Sequence, residues 1–240
     1  MDDLITVITP TFNCEKYIEQ CIKSVINQKN VKTEHIVIDG LSTDNTLNIV
    51  KKYKNIKFIS EQDSGEVDAL NKGLKLAKGN YICWLNADDW LEPDVLQLIK
   101  NLDDNSHILY GNTNVLNNKD EIFWIKKSNS SINLEFLLRW FFAGAHPHQP
   151  SMFFKREVFD TLGCLNQELT YSIDLDLWIR AADKEFKFKY IDRILSNVRL
   201  REDSKSWDTE KLQIESHWRV ILPYMKKLDG NEQYAFWLDY

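Results

Sequence analysis

The chain has 240 residues, 43% of them hydrophobic and 28% charged, with a formal net charge of −6. That composition suits one globular core with additions, not a disordered chain. The acidic balance and scattered lysines exclude a surface built to grip phosphate backbones, so no nucleic-acid partner is expected.

No stretch approaches the ~20 apolar residues of a membrane span, and the start Met1-Asp2-Asp3-Leu4 lacks the basic and apolar regions of a signal peptide. Cys14, Cys21, Cys83 and Cys164 form no Cys-x-x-Cys pair and read as reduced, mostly buried thiols of a cytoplasmic protein.

In chain order, Leu4-Ile5-Thr6-Val7-Ile8 is a buried-strand run closed by Thr9-Pro10-Thr11. Ile18, Cys21, Ile22, Val25 and Ile26 then recur at helical spacing. His35 to Ile38 predicts a second strand, followed by a helix carrying Leu47, Ile49 and Val50. Ile56 to Ser60 predicts a third strand, and Val67 to Ala77 a helix ended by Gly79. Tyr81 to Leu85 is the fourth strand, with a helix opening near Pro93. Strands alternating with helices imply βαβ units and a mainly parallel, right-handed sheet. Beyond residue 105 the alternation weakens. Strands are expected at 107–110, 121–125, 151–154 and 187–191, and helices at 132–142, 174–184 and 209–227. One α/β domain with a mixed second half is the expectation.

In open parallel sheets, ligands bind at the carboxyl ends of the strands. Here those ends carry Thr9-Pro10-Thr11-Phe12-Asn13, Asp39-Gly40-Leu41-Ser42-Thr43-Asp44 and Asn86-Ala87-Asp88-Asp89. Paired carboxylates after a buried strand need solvation or a cation. Magnesium or manganese, shared with a substrate's phosphates, supplies that; a solvated loop or helix cap is the plainer alternative. Asp39 suits a ribose or base, or simply a turn beside Gly40. Ser42 and Asp44 suit ligand contact or the cap of the next helix. Asp68 and Lys72, four apart on one helix face, suit a surface ion pair or a donor pocket. Neither Gly-x-Gly-x-x-Gly nor the Walker pattern occurs, which disfavours dinucleotide oxidoreductases and P-loop enzymes.

These blocks, with Asp174-Leu175-Asp176-Leu177-Trp178-Ile179-Arg180 further on, resemble in order and spacing the family 2 glycosyltransferases of GT-A fold. The resemblance covers roughly the first 180 residues. It implies a Rossmann-like, mostly parallel central sheet flanked by helices. A nucleotide-sugar-binding half would span about 1–105, an acceptor and catalytic half about 106–205, and a helical extension about 206–240.

By that resemblance Thr9, Thr11 and Asp39 would hold the nucleoside, with Asp68 and Lys72 lining the donor pocket and Asn13, Ser42 and Asn86 among the residues that bind the nucleotide sugar. Asn86-Ala87-Asp88 would occupy the Asp-x-Asp motif, making Asp88 the leading metal ligand and Asp89 the second. Asp174 would be the catalytic base and Asp176 its rival, since residues two apart on a helix point to different sides. The glutamate usual before that aspartate is Ile173 here. His148 would lie near the donor or acceptor. Arg201 stands where relatives often carry histidine, and would clamp the diphosphate by bidentate hydrogen bonds or remain a solvent-facing charge. For Trp178, packing is favoured over a sugar platform.

The implied activity is inverting sugar transfer from a nucleotide sugar, UDP-linked by preference, to a glycan or lipid-linked acceptor hydroxyl, with a divalent metal. Two alternatives stay open: a sugar-phosphate nucleotidylyltransferase, and a non-catalytic nucleotide-sugar-binding subunit. The segment carrying Trp218, Ile221, Leu222, Tyr224, Met225, Lys226 and Lys227 suits peripheral contact with anionic lipid, or packing on the core.

Overall fold

In the computed structural model, which describes residues 4–102, 105–117, 119–139, 144–201 and 209–227, four parallel strands build the first half. They are β1 (Leu4–Thr11), β2 (Lys32–Asp39), β3 (Ile56–Ser60) and β4 (Tyr81–Trp84), in spatial order β3-β2-β1-β4. Helices α1 (Ile18–Ile26), α2 (Thr46–Val50) and α3 (Glu66–Leu76) connect them. Both sheet faces are covered, so Val7, Ile8, Val37 and Ile38 are all buried, as parallel βαβ packing requires. The stripe Ile18, Cys21, Ile22 and Val25 buries the inner face of α1. On the other face α3 approaches β1 through Gly73, where a Cβ would stand 2.4 Å from Ile8 Cγ2. The register pairs Thr11 with Asp39 and Asp39 with Ser60, so the carboxyl ends of three strands finish level.

The second half is mixed. It contains β5 (Trp90–Leu91), α4 (Val95–Asn101), β6 (Ile108–Leu116), β7 (Ile122–Lys126) and α5 (Leu134–Leu138). A 3-10 turn, Gln149–Ser151, leads into β8 (Met152–Lys155), α6 (Arg156–Leu162), α7 (Ile173–Asp183), β9 (Phe188–Arg199) and α8 (Glu210–Ile221). The whole sheet runs β3-β2-β1-β4-β8-β6-β9-β5, with β7 on β6. β8 is antiparallel to β4 and β6, and β5 to β9, whereas β6 and β9 are parallel.

β6 and β9 are both longer than their apolar runs predict. Their polar continuations hide by pairing: the Thr113 hydroxyl meets Ser151 at 2.7 Å, and Asn114 donates to Asn197 at 2.9 Å. The expected 132–142 helix is α5, which ends at Leu138; residues 140–143 lie outside the described residues. The expected final helix is α8 followed by a 3-10 turn, Leu222–Lys227, tightened where Pro223 lacks an N–H. Val220, Ile221 and Met225 join the core beneath α3, α5 and α7, with Trp218 and Tyr224 packed against it. Of the segment offered to lipid, these residues pack on the protein, while Leu222, Lys226 and Lys227 stay exposed. Trp178 is fully buried in the same core.

Candidate active site

At the ends of β1 and β2 a hydrogen-bond lattice fixes the backbone. Asp39 is fully buried; it accepts from the Ser60 hydroxyl at 2.7 Å, from the Ser42 N–H at 3.0 Å, and from the Ser42 hydroxyl. Asn13, at φ 51°, donates its N–H to Ser42 Oγ and accepts the Thr43 N–H at 2.8 Å through Oδ1. Asp44 caps α2 by accepting the Thr46 N–H at 2.9 Å. Asn13, Ser42 and Asp39 are thus brought together with buried Thr11. Thr9 is not. It lies one pleat deeper, its hydroxyl on His35 Nε2 at 2.9 Å and Cys21 Sγ at 3.6 Å, so it underlies the site without lining it.

The loop after β4 forms the second cluster. Asp88 Oδ2 receives Arg201 Nη1 at 2.9 Å, and the Asp88 carbonyl receives Arg199 Nη1 at 2.7 Å. Arg199 also donates to Asp120 at 2.7 Å and Gln20 at 2.9 Å. Both guanidiniums stack on Tyr17, each 4.6 Å from the ring centroid. Asp89 is buried, and desolvation, reinforced by the neighbouring charge of Asp88, pushes its carboxyl well above the usual range. Asp89 is thus enclosed, whereas Asp88 is partly exposed and the more accessible of the two carboxylates. Cys14, beyond β1, feels the charges of Asp88 and Arg201, which places the two loops side by side.

Asn86 Oδ1 is buried with no hydrogen-bond partner. A lone amide oxygen next to a carboxylate is a hard-oxygen donor pair of the kind magnesium and manganese accept. No group of three His, Cys, Asp or Glu gathers for a metal among the described residues. An ion at Asp88 would therefore complete its shell with water and phosphate oxygens, as magnesium commonly does.

The third cluster surrounds the start of α7. Asp174 accepts the Leu175 N–H at 2.9 Å. Burial raises its pKa, Glu66 adds to the rise, and Lys126 opposes it. Asp176 faces elsewhere, held by Arg180 Nε at 2.8 Å, while Arg180 Nη1 reaches the Leu162 carbonyl. Ile173 is buried in the core, so a longer acid at that position would point inward. Burial, then Lys126, lowers the pKa of His148 to about 3, and its Nδ1 has no hydrogen-bond partner. Burial also lowers Lys126.

Asp68 lines a cleft of about 260 Å³ between the start of α3 and the segment Gln167–Thr170, with Glu66 beside it. Lys72 forms the ion pair its spacing allows: it meets Asp68 at 3.4 Å, Glu61 at 3.0 Å and the Gln62 carbonyl at 2.7 Å.

With this geometry in place, the comparisons agree. Residues 6–163 match the family described as Glycosyl transferase family 2, and the chain belongs to that family. It is 26% identical to the chondroitin synthase of Escherichia coli over 97% of this chain and 34% of that protein. It is 30% identical to the hyaluronan synthase of Pasteurella multocida over 91% of this chain and 22% of that protein. The chain thus spans about a third or less of the length of these relatives.

In fold it is similar to TarS of S. aureus, solved with UDP-GlcNAc, at TM-score 0.72 and 21% identity over 96% of this chain and 68% of that one. It is also similar to the mannosyltransferase PcManGT of Pyrobaculum calidifontis, solved with GDP-Man and Mn2+, at TM-score 0.64 and 17% identity over 94% of this chain and 64% of that one. The fold is GT-A.

Sequence reasoning missed Glu66, Lys126 and Tyr17, and gave Arg199 no role. None sits in a quoted motif with a distinctive spacing. Lys126 and Arg199 are placed by the register of β7 and β9 on β6, Tyr17 and Glu66 by the starts of α1 and α3.

Proposed function

We propose that this chain transfers a sugar, with inversion, from a nucleoside diphosphate sugar to a hydroxyl of a growing glycan or lipid-linked acceptor. The observation that carries this reading is the membership of residues 6–163 in the transferase family together with the strand-end cluster, where buried Asp39 and the Asp88–Arg201 pair stand at the carboxyl ends of neighbouring parallel strands.

In the proposed reaction the nucleoside lies over Thr11, Asn13, Asp39 and Ser42, with Thr9 beneath them. Asp68 borders the sugar subsite, with Lys72 holding it in place. The acceptor hydroxyl gives its proton to Asp174 as its oxygen bonds to the anomeric carbon, and the bond from that carbon to the diphosphate breaks. A base with a raised pKa is better matched to this task near neutrality than an ordinary carboxylate. Arg201 and Arg199 lie where charge grows on the departing diphosphate. A divalent ion, manganese or magnesium, held by Asp88 with Asn86 beside it, would stabilise the same charge. His148, neutral and buried, would border the acceptor side.

A UDP-linked donor is the proposal's first choice, in keeping with the UDP-GlcNAc complex of TarS. The synthases among the relatives support a role in cell-surface glycan assembly. All four cysteines are unpaired thiols, which is in keeping with a reducing compartment, and the proposed setting is the cytoplasm or, peripherally, the inner membrane face. No helix among the described residues is long and apolar enough to cross a membrane.

The test is release of free nucleoside diphosphate across a panel of nucleotide sugars, with manganese, magnesium or a chelator. One donor should give release that stops with the chelator. No release from any donor, with or without acceptors, would overturn the reading.

A further inference from the structure

β7 leaves four consecutive apolar side chains in solvent: Ile122, Phe123, Trp124 and Ile125 are 58%, 68%, 44% and 46% exposed. Among the described strands β7 pairs only with β6, so its outer edge is open. A contiguous apolar stretch on an open edge is a liability unless something covers it.

The register shows what this strand faces. Val115 is opposite Trp124 and Thr113 opposite Lys126, with a bulge beyond Val115. Side chains two apart on a strand share a face, so Trp124 and Lys126 project together, about 7 Å apart along β7. Lys126 acts electrostatically on both Asp174 and His148. The inner end of β7 therefore lies within electrostatic reach of the proposed base, with Trp124 one pleat further out on the same face. Phe123, the extra residue of the bulge, turns its ring to within 4.8 Å of the Trp124 ring.

The platform is held in place. At the hairpin tip Asn117 Oδ1 accepts the Lys119 and Glu121 N–H groups, and Asp120 is tied to Arg199. The described hairpin charges Lys119, Asp120, Glu121 and Lys126 balance, short of the lysine and arginine cluster that an anionic lipid surface selects. A second copy paired along β7 would cover the approach to Lys126. A sugar ring does neither: its C–H face is apolar and its hydroxyls reach outward.

We propose that this hairpin is the acceptor subsite, where a pyranose ring of the acceptor glycan stacks on Trp124, Phe123 extends the platform, and the reacting hydroxyl is directed past Lys126 toward Asp174. This rests on the transferase reading above.

The test measures binding directly, by titration calorimetry of the full chain with chitotetraose, unsulfated chondroitin tetrasaccharide and maltotetraose in the presence of UDP. In parallel it measures nucleoside diphosphate release without acceptor. At least one saccharide should bind, Trp124→Ala should weaken it about tenfold or more, and Trp124→Phe should recover part of the loss. Donor hydrolysis should be unchanged in both variants. Wild-type affinity in Trp124→Ala, or no binding of any saccharide to the wild type, overturns the proposal. So does a Trp124→Ala phenotype limited to loss of a dimer or of binding to phosphatidylglycerol vesicles. Failure of the transferase reading looks different: no donor is turned over, whatever the saccharide titrations show.

Discussion

Arg201 lies against Asp88, guanidinium nitrogen to carboxylate oxygen at 2.9 Å, in the position where the family's metal is expected. The pair is partly buried, so each partner is stabilised by the other and neither is idle. A cation at Asp88 has to share this carboxylate with Arg201.

Replacing Asp88 by alanine removes the proposed ligand and leaves Arg201 without its partner. Nucleoside diphosphate release should fall ~100-fold or more, the scale of losing a group that stabilises developing charge, and what remains should no longer respond to manganese. Arg201→Lys keeps the charge but loses the planar fork. It should raise the KM for the donor and lower the manganese concentration needed for half-maximal rate. An unchanged manganese response in Asp88→Ala would remove the metal from this site.

Asp174→Asn should leave donor binding intact and slow transfer ~100-fold or more. The base acts deprotonated, so the rate should decline as pH falls through its pKa. Burial raises that pKa, so the acidic limb of kcat/KM should lie above the ordinary carboxylate range. Glu66→Gln removes a negative neighbour and should move that limb to lower pH. Asp176→Asn breaks the Arg180 pair and should cost stability with little effect on the limb. A limb that stays in place in Glu66→Gln would separate Glu66 from the base.

His35 and His148 are each held neutral by burial, with pKa values lowered from 6.5 to about 3. The unfolded chain takes up these protons first as pH falls. The contribution of these two imidazoles is therefore full above roughly pH 6.5 and is lost below it, with a slope of about one proton each down to about pH 3, against the opposite slope of the raised carboxyls of Asp89 and Asp174. Urea midpoints at pH 7.5 and about pH 5 measure the slope. His35→Gln, which can still bond Thr9, should flatten it by about one proton.

Asn71 is buried in α3, and both ends of its amide bind one residue: Nδ2 donates to the Leu165 carbonyl at 3.0 Å and Oδ1 accepts the Leu165 N–H at 2.9 Å. Asn71→Ala strands both backbone groups and should cost about 2 kcal/mol in denaturant unfolding. The adjacent cleft should loosen, seen as a higher KM for the donor. Asn71→Asp should rescue the N–H partner alone.

The parallel half of the fold was legible because period and punctuation coincide there: apolar runs such as Leu4 to Ile8 end in turn residues, and α1 carries a clean stripe. The strand-end residues could be placed for the same reason. The strand expected at 187–191 stops where its apolar run does, at Asp192 and Arg193, although pairing with Thr113 and Asn114 carries β9 on and buries Ser196 and Asn197. Lys126 could not be found from sequence, since an edge-strand lysine looks like solvent-facing charge until the register turns it toward Asp174. Whether Asp174 or Asp176 is bound up elsewhere was equally hidden, since the Arg180 partner of Asp176, four residues along the same helix, shows only in the structure.

Arg199 meets Gln20 on the first helix, the Asp88 carbonyl after the fourth strand and Asp120 at the hairpin tip. Anyone building chimaeras from this scaffold, joining the front of one member to the back of another, would cut through that junction. Such hybrids should assemble properly only where all three partners travel with the arginine, which makes this contact a better guide to exchange boundaries than any loop.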